Sequence, residues 1–228
     1  MNIGGLQKLT ILDYPGKTAC IVFTKGCNYR CPFCHNSHLV NKSFDMVLEE
    51  EVFSYIEKRR NLLDGVVITG GEPLLQKDIE RFIRRIKDLG YLIKLDTNGT
   101  FPDKLDYLIK NELIDYVAMD IKRDIDNYGL IVGVNNPLVE NIKKSIEILK
   151  SAKIEHEFRT TVVKEHHDYK VLESICKCIG KDELYYLQNY QESDSVLKKG
   201  LTSFSKSELE TLEKKLKETY PLVSIRSV

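Results

Sequence analysis

The run Ala19-Cys20-Ile21-Val22-Phe23-Thr24 is followed, two residues on, by Cys27-Asn28-Tyr29-Arg30-Cys31-Pro32-Phe33-Cys34. The first is a short apolar stretch of the kind that forms a strand buried on both faces. The second places three of the chain's six cysteines in one loop, directly after that strand's C-terminal end. Three thiolates so close in sequence can converge on one inorganic centre. A structural zinc site takes four protein ligands, and common iron–sulfur centres also use four cysteines. Here the fourth is missing locally. His35 follows at once, but the backbone between neighbours is too short to turn both side chains onto one metal. A cluster held by three cysteines leaves one iron open to a substrate or cofactor, which suits catalysis better than structure. Two plainer readings stand beside it: a zinc completed by a distant residue, and unrelated core thiols.

Outward from this stretch, strand and helix alternate. Residues 1–18 read as an entry segment, with the turn Asp13-Tyr14-Pro15-Gly16 before the first strand. A helix is expected over 44–60, capped by Ser43, with Leu48, Val52, Tyr55 and Ile56 on one face. Strands follow at 65–69, 92–96, 116–122, 155–163 and 184–188, separated by helical patterns such as Ile79, Phe82, Ile83 and Ile86. Ile142, Ile146 and Leu149 mark another helix, and Leu172, Ile175, Cys176 and Ile179 one more. Cys20, Cys176 and Cys178 read as structural thiols. The last helix opens with the capping box Ser205-Lys206-Ser207-Glu208 and buries Leu209, Leu212 and Leu216. A terminal strand is expected over 223–226. About six strand–helix units without a Pro/Gly/Ser linker predict one α/β domain over 1–228, with a parallel sheet. A doubly wound sheet and a partial barrel fit this pattern equally.

The composition excludes several function classes. With 42% hydrophobic residues among 228, the chain can bury a substantial core. The 34 basic residues balance 34 acidic ones, so no nucleic-acid-binding surface is expected. The first residues lack the basic and apolar regions of a secretory signal, and no apolar run reaches the roughly 18 residues of a membrane helix. A cytoplasmic location follows as an expectation, and six cysteines there point to metal or redox chemistry.

The polar residues gather at one end. Each strand is apolar until its C-terminal end. There the first brings the cysteines, the second Gly70-Gly71-Glu72-Pro73 and the third Asp96-Thr97-Asn98. The fourth brings Asp120 and Lys122, the fifth Arg159 and the sixth Gln188. In parallel α/β folds this is the edge that carries active sites. Singly, a Gly-Gly pair is a turn and a charged strand end is solvated. Their joint placement beside the cysteines is what points to a site.

The spacing Cys27-x3-Cys31-x2-Cys34, with Phe33 before the last Cys, resembles the signature of the radical S-adenosylmethionine (SAM) superfamily. Thr69-Gly70-Gly71-Glu72-Pro73 is similar to its second motif. Lys94-Leu95-Asp96-Thr97-Asn98-Gly99 and Ala118-Met119-Asp120-Ile121-Lys122 resemble segments of the glycyl-radical-enzyme activases. Asp13-Tyr14-Pro15-Gly16, Cys34-His35-Asn36 and Phe158-Arg159-Thr160-Thr161-Val162-Val163 bring the chain closest to the anaerobic ribonucleoside-triphosphate reductase activating branch. The resemblance runs from about Gly5 to the C-terminus.

It implies a partial (β/α)6 barrel and a [4Fe–4S] cluster on Cys27, Cys31 and Cys34, with SAM bound at the open iron. Phe33 matches the aromatic beside adenine, and Gly70, Gly71 and Glu72 match the site of the methionyl amine. His35, Asp120, Lys122, Arg159 and Gln188 are the further expected cofactor contacts. In the pyruvate formate-lyase activase, carboxylates matching Asp96 and Asp120 help hold a monovalent cation. Thr97 and the Ala118 carbonyl would complete that Na+ or K+ site here, with Ala118 replacing a Met. The implied reaction is reductive SAM cleavage to a 5′-deoxyadenosyl radical, which takes hydrogen from a glycine of a partner enzyme. That partner is expected to be an anaerobic ribonucleotide reductase, with a flavodoxin- or ferredoxin-type electron donor.

Two departures stand out. Gln188-Asn189-Tyr190 occupies the place of a His near the cofactor in the related activase. No cysteine lies between Cys34 and Cys176, so the ferredoxin-like insert of many activases is missing and one cluster is expected. The alternatives are a small-molecule radical SAM enzyme such as 7-carboxy-7-deazaguanine synthase, and a non-catalytic metal-binding module. The first typically follows its third Cys with Asp-Thr, where this chain has His35-Asn36.

Overall fold

The computed structural model describes residues 1–40 and 46–226. One eight-stranded sheet runs through it in the unbroken order β1 to β8. The strands are β1 (Ile3–Thr10), β2 (Ala19–Thr24), β3 (Gly65–Gly70), β4 (Leu92–Thr97), β5 (Tyr116–Asp120), β6 (Glu155–Val162), β7 (Tyr185–Asn189) and β8 (Val223–Arg226). From β2 onward every neighbouring pair is parallel. A doubly wound sheet must reverse its strand order at a switch point. This order never reverses, so right-handed crossovers lay the helices on one face and the sheet curls as a partial barrel. The open reading of the sequence is settled by topology.

The helices are α1 (Ser37–Val40), α2 (Glu49–Glu57), α3 (Ile79–Asp88), α4 (Pro102–Lys110), α5 (Gly129–Val132), α6 (Val139–Ser151), α7 (Tyr169–Ile179) and α8 (Lys206–Lys217). Helix α2 is shorter than the expected 44–60, and Ser43 and Phe44 lie outside the described residues. Leu48 is exposed just before it, and Val52, Phe53 and Ile56 form its buried face. The capping box of α8 is present: Glu208 N donates to Ser205 Oγ at 3.3 Å and Ser205 N to Glu208 Oε2 at 2.7 Å. Leu209 and Leu216 are buried, whereas Leu212 is only half-buried against the core.

The entry segment is a strand. β1 pairs antiparallel with β2, with register shifts either side of Gly5–Gln7. Glycines lower strand propensity, which hides β1 in the sequence. Gly4 serves close packing: a Cβ there would fall 2.4 Å from the Leu39 side chain.

Period-two alternation divides the sheet into two faces. The outer face (Cys20, Val22, Val66, Ile68, Ile93, Leu95, Val117, Met119 and Phe158) merges with the helices into the main core. The inner face begins at its N-terminal end with a smaller apolar cluster of Tyr14, Ala19, Ile21, Val67 and Tyr116. Tyr14 comes from the turn seen in the sequence, and its ring lies 6.0 Å from that of Tyr116. Above this plug the inner face becomes charged. Arg159 of β6 reaches Asp96 of β4 past β5, and Arg226 of β8 reaches Glu157 of β6 past β7. Side chains two strands apart meet in this way only on a concave face.

Candidate active site

The three cysteines of the β2–α1 loop line one cavity over the C-terminal ends of the strands. The loop is held from several sides. Arg30 Nη1 donates to the carbonyls of Cys27 and Tyr29 at 2.7 and 2.8 Å, and Arg30 N donates to Val132 O at 2.8 Å. Tyr29 OH donates to Pro137 O at 2.5 Å. Burial pushes the Cys27 thiol up to about 11 and Cys31 to about 12, and raises Cys34 as well. Lys122 acts against burial on all three. Thiolates become stable here once further positive charge shares the cavity, and a bound metal centre supplies it.

Among the described residues no three Cys, His, Asp or Glu side chains converge to hold a single metal ion. The thiols of Cys27, Cys31 and Cys34 border a common space. Cys20 and Cys176 are buried in the core and Cys178 is half-buried on α7; none of them lines the cavity.

The Gly70-Gly71-Glu72-Pro73 turn is braced against the cysteine loop. Gly71 N donates to Thr24 O and Glu72 N to Gly26 O, each at 2.9 Å. A Cβ on Gly71 would lie 2.0 Å from Gly26 O, and one on Gly70 would lie 2.5 Å from Thr24 N. Gly70 also has φ +110°, so both positions demand glycine. Both glycines line the cavity, whereas the Glu72 side chain is buried beneath it. Glu72 Oε1 accepts from Leu74 N at 3.0 Å and Thr97 Oγ1 at 2.8 Å, and Oε2 accepts from Asn98 N at 2.8 Å. Burial lifts this carboxyl to about 7 against those hydrogen bonds. Glu72 thereby ties the end of β3 to the end of β4.

Across the cavity runs a ladder of charge. Arg159 Nη2 lies 3.2 Å from Asp96 Oδ2, and its Nε donates to Asp120 Oδ1 at 2.9 Å. Lys122 Nζ donates to Asp120 Oδ2 at 3.0 Å, and Lys94 Nζ donates to Asp96 Oδ1. Burial alone would raise the Asp120 carboxyl, but Arg159 and Lys122 hold it down at about 2. Asp96 is likewise lowered, by Arg159 and Lys94 against burial. Both are therefore carboxylates at neutral pH.

The remaining expected residues divide by position. Phe33, His35, Thr97 and Gln188 line the cavity, and Ala118 is fully buried within β5. His35 Nε2 lies 2.7 Å from Gln191 O, and its ring stacks on Tyr190 at 5.5 Å. Asn189 is turned to Phe204, accepting from its N–H at 3.1 Å and donating to its carbonyl at 2.7 Å. Gln188 is thus the member of the Gln188-Asn189-Tyr190 trio that faces the cavity.

Sequence reasoning passed over the supports behind these groups. Asn98 Nδ2 donates to Asn28 Oδ1 at 2.9 Å and lies 3.9 Å from Cys27 Sγ, while Asn98 Oδ1 accepts from Thr100 Oγ1 at 2.6 Å. Asn36 Nδ2 donates to Gly70 O at 3.3 Å. Burial lowers His167 to about 4, so it is neutral. Its Nδ1 accepts from Val163 N at 3.1 Å, which leaves the proton on Nε2 to donate to Lys122 O at 2.9 Å. The same ring meets Phe33 edge-on at 6.3 Å. Asn98 and Asn36 sit inside motifs already quoted and were open to discovery; His167 carries no sequence signal.

Residues 21–175 match the Radical SAM superfamily. The chain belongs to the radical SAM superfamily. It is 35% identical over 232 aligned residues to a Methanocaldococcus jannaschii protein named as a glycyl-radical enzyme activating enzyme (MJ1227), covering 99% of this chain and 96% of that protein. A second M. jannaschii protein of the same name (MJ1632) is 31% identical over 171 residues, covering 64% of this chain and 62% of that one. Among solved structures, Streptococcus suis SuiB bound to S-adenosylmethionine superposes with a TM-score of 0.66 at 16% identity, covering 89% of this chain and 48% of SuiB. That likeness shows the fold. Membership of the radical SAM superfamily makes the protein an enzyme of radical SAM chemistry and implies a [4Fe–4S] cluster and SAM. The residues fit both: three thiols share one cavity, and a cationic ladder stands across it. Among the described residues no helix is long and apolar enough to cross a membrane.

Proposed function

We propose that this radical SAM enzyme activates a glycyl radical enzyme, and that its partner is an anaerobic ribonucleotide reductase. The observation that carries the reading is the likeness to MJ1227 along nearly the whole of both chains. Cys27, Cys31 and Cys34 hold the cluster, Phe33 packs against the adenine, and the backbone of Gly70 and Gly71 receives the methionyl amine. Arg159 and Lys122 face the cofactor's anionic end, while Asp96 and Asp120 keep those two cations fixed. Glu72 and Asn98 act as positioning residues, locking the strand ends that shape the cavity. When bound, SAM and the reduced cluster supply hydrogen-atom abstraction, and the protein contributes orientation and electrostatics. The barrel does not close between β1 and β8 among the described residues, which leaves a side for a partner's glycine loop. A flavodoxin- or ferredoxin-type protein delivers the electron.

The test is electron paramagnetic resonance on an anaerobic mixture of reduced enzyme, SAM and the candidate ribonucleotide reductase. The expected result is an oxygen-sensitive glycyl radical on the reductase and SAM cleavage faster than in the enzyme alone. Turnover of a small metabolite by the isolated protein, with no radical on any reductase, would overturn the activase assignment.

A further inference from the structure

The resemblance to pyruvate formate-lyase activase leads one to expect an Na+ or K+ ion among Asp96, Thr97, Ala118 and Asp120. The residues present do not fit it. Each of the four carboxylate oxygens already faces a cationic nitrogen: Asp96 Oδ1 takes Lys94, Asp96 Oδ2 and Asp120 Oδ1 take the two ends of one guanidinium, and Asp120 Oδ2 takes Lys122. The Thr97 hydroxyl is also committed, donating to Glu72 Oε1 at 2.8 Å and accepting from Gly99 N at 3.2 Å. We infer that this protein binds SAM without a monovalent metal cation, because Arg159 and the buried Lys94 stand in its place. The inference rests on SAM binding in this cavity and is independent of the choice of substrate.

Charge balance supports the substitution. Two anions facing the anionic end of a cofactor need positive charge between them. Arg159 provides it covalently, as a planar fork that bridges both carboxylates, and it costs no ion capture. Lys94 makes the difference at Asp96. It lies in the middle of β4, fully buried, two residues before Asp96 and on the same inner face. Glu157 is matched by Arg226, bonded through both oxygens at 2.5 and 2.7 Å. Within the ladder itself Asp96 and Asp120 stand against Lys94, Lys122 and Arg159. The carboxylate of SAM can pair locally with these cations, whereas an added metal cation would meet repulsion from three neighbours.

Isothermal titration of SAM into the anaerobically reconstituted protein, with its cluster oxidised so that SAM stays intact, decides the matter. Choline, sodium and potassium chloride are compared at equal ionic strength. The expected Kd agrees within about twofold across the three salts, and binding tightened about tenfold or more by Na+ or K+ overturns the inference. No SAM binding in any salt would overturn it together with the SAM assignment, a result distinct from a salt effect. In a Lys94→Met variant with full cluster content, SAM binding should weaken in choline and recover in Na+ or K+. Lys94→Arg, which keeps the charge, should remain indifferent to the salt. Unchanged, salt-independent affinity in Lys94→Met would remove Lys94 from the account.

Discussion

On β4, Ile93 and Leu95 point to the helices and are fully buried in apolar surroundings, while Lys94 and Asp96 alternate with them and pair inside the barrel. On β6 the same division separates Phe158 from Glu157 and Arg159. The outer face obeys the hydrophobic rule alone, so volume is what matters there. The inner face holds charges away from bulk water, so each requires a partner. Fold and chemistry are thus written on alternate residues of the same strands.

The largest expected contrast sets a thiol of the inner mouth against one of the outer face. Cys31→Ala should abolish the iron–sulfur cluster after anaerobic reconstitution, read from iron and sulfide content. Cys20→Ala should keep the full cluster and lose only about 1 kcal/mol of stability to the small cavity left. A full cluster in Cys31→Ala would break the assignment of the loop.

Neighbours on β6 sharpen the comparison. Phe158→Ala should cost about 3–5 kcal/mol in denaturant unfolding, the usual penalty for a buried aromatic. Arg159→Met should instead weaken SAM binding by about tenfold or more, equivalent to about 1.4 kcal/mol, with the cluster retained. If Phe158→Ala harmed SAM binding as much as Arg159→Met at equal folded fraction, the two faces would not be functionally separate.

A smaller effect is expected at Glu72, through pH. Its carboxyl is raised in the folded state to about 7 from an ordinary value of 4.5. A raised value means that this contribution to stability is complete below the unfolded value and is lost as pH rises through about 7. The Tm advantage of wild type over Glu72→Gln should therefore shrink between about pH 5 and pH 8. Asp120 runs the other way. Held at about 2 by its cations, it stabilises the fold above the ordinary aspartate range and loses that contribution only as pH falls toward 2. A Tm difference for Glu72→Gln that stays flat with pH would contradict the buried placement. The smallest change is expected from Cys178→Ser, at the half-buried thiol of α7, within about 0.5 kcal/mol and with no loss of iron.

The outer face was legible in the sequence because its physics is periodic. Apolar runs gave the parallel strands and 3.6-residue stripes gave the helices, and each strand end announced its polar residue. Strand β1 was hidden because Gly4 and Gly5 depress strand propensity, Gly4 serving close packing on Leu39. The start of α2 was read too early because periodicity alone does not mark where a helix begins. The inner supports were hidden for another reason. Lys94, Glu157 and Arg226 are single charges within or at the ends of strands, and a lone charge reads as solvated until the sheet curls and brings β4, β6 and β8 together. Asn98 shows the middle case: its motif was visible, but its bond to Asn28 depends on two loops meeting over the cavity.

The central claim is that three loop thiols and the charged inner face together form one cluster-and-SAM site. Its most direct test is the electron paramagnetic resonance spectrum of the reduced, reconstituted protein recorded with and without SAM, alongside metal analysis. The account predicts about four irons and four sulfides per chain and a cluster signal that changes when SAM is added. One zinc per chain, or a cluster whose signal is indifferent to saturating SAM, would contradict it.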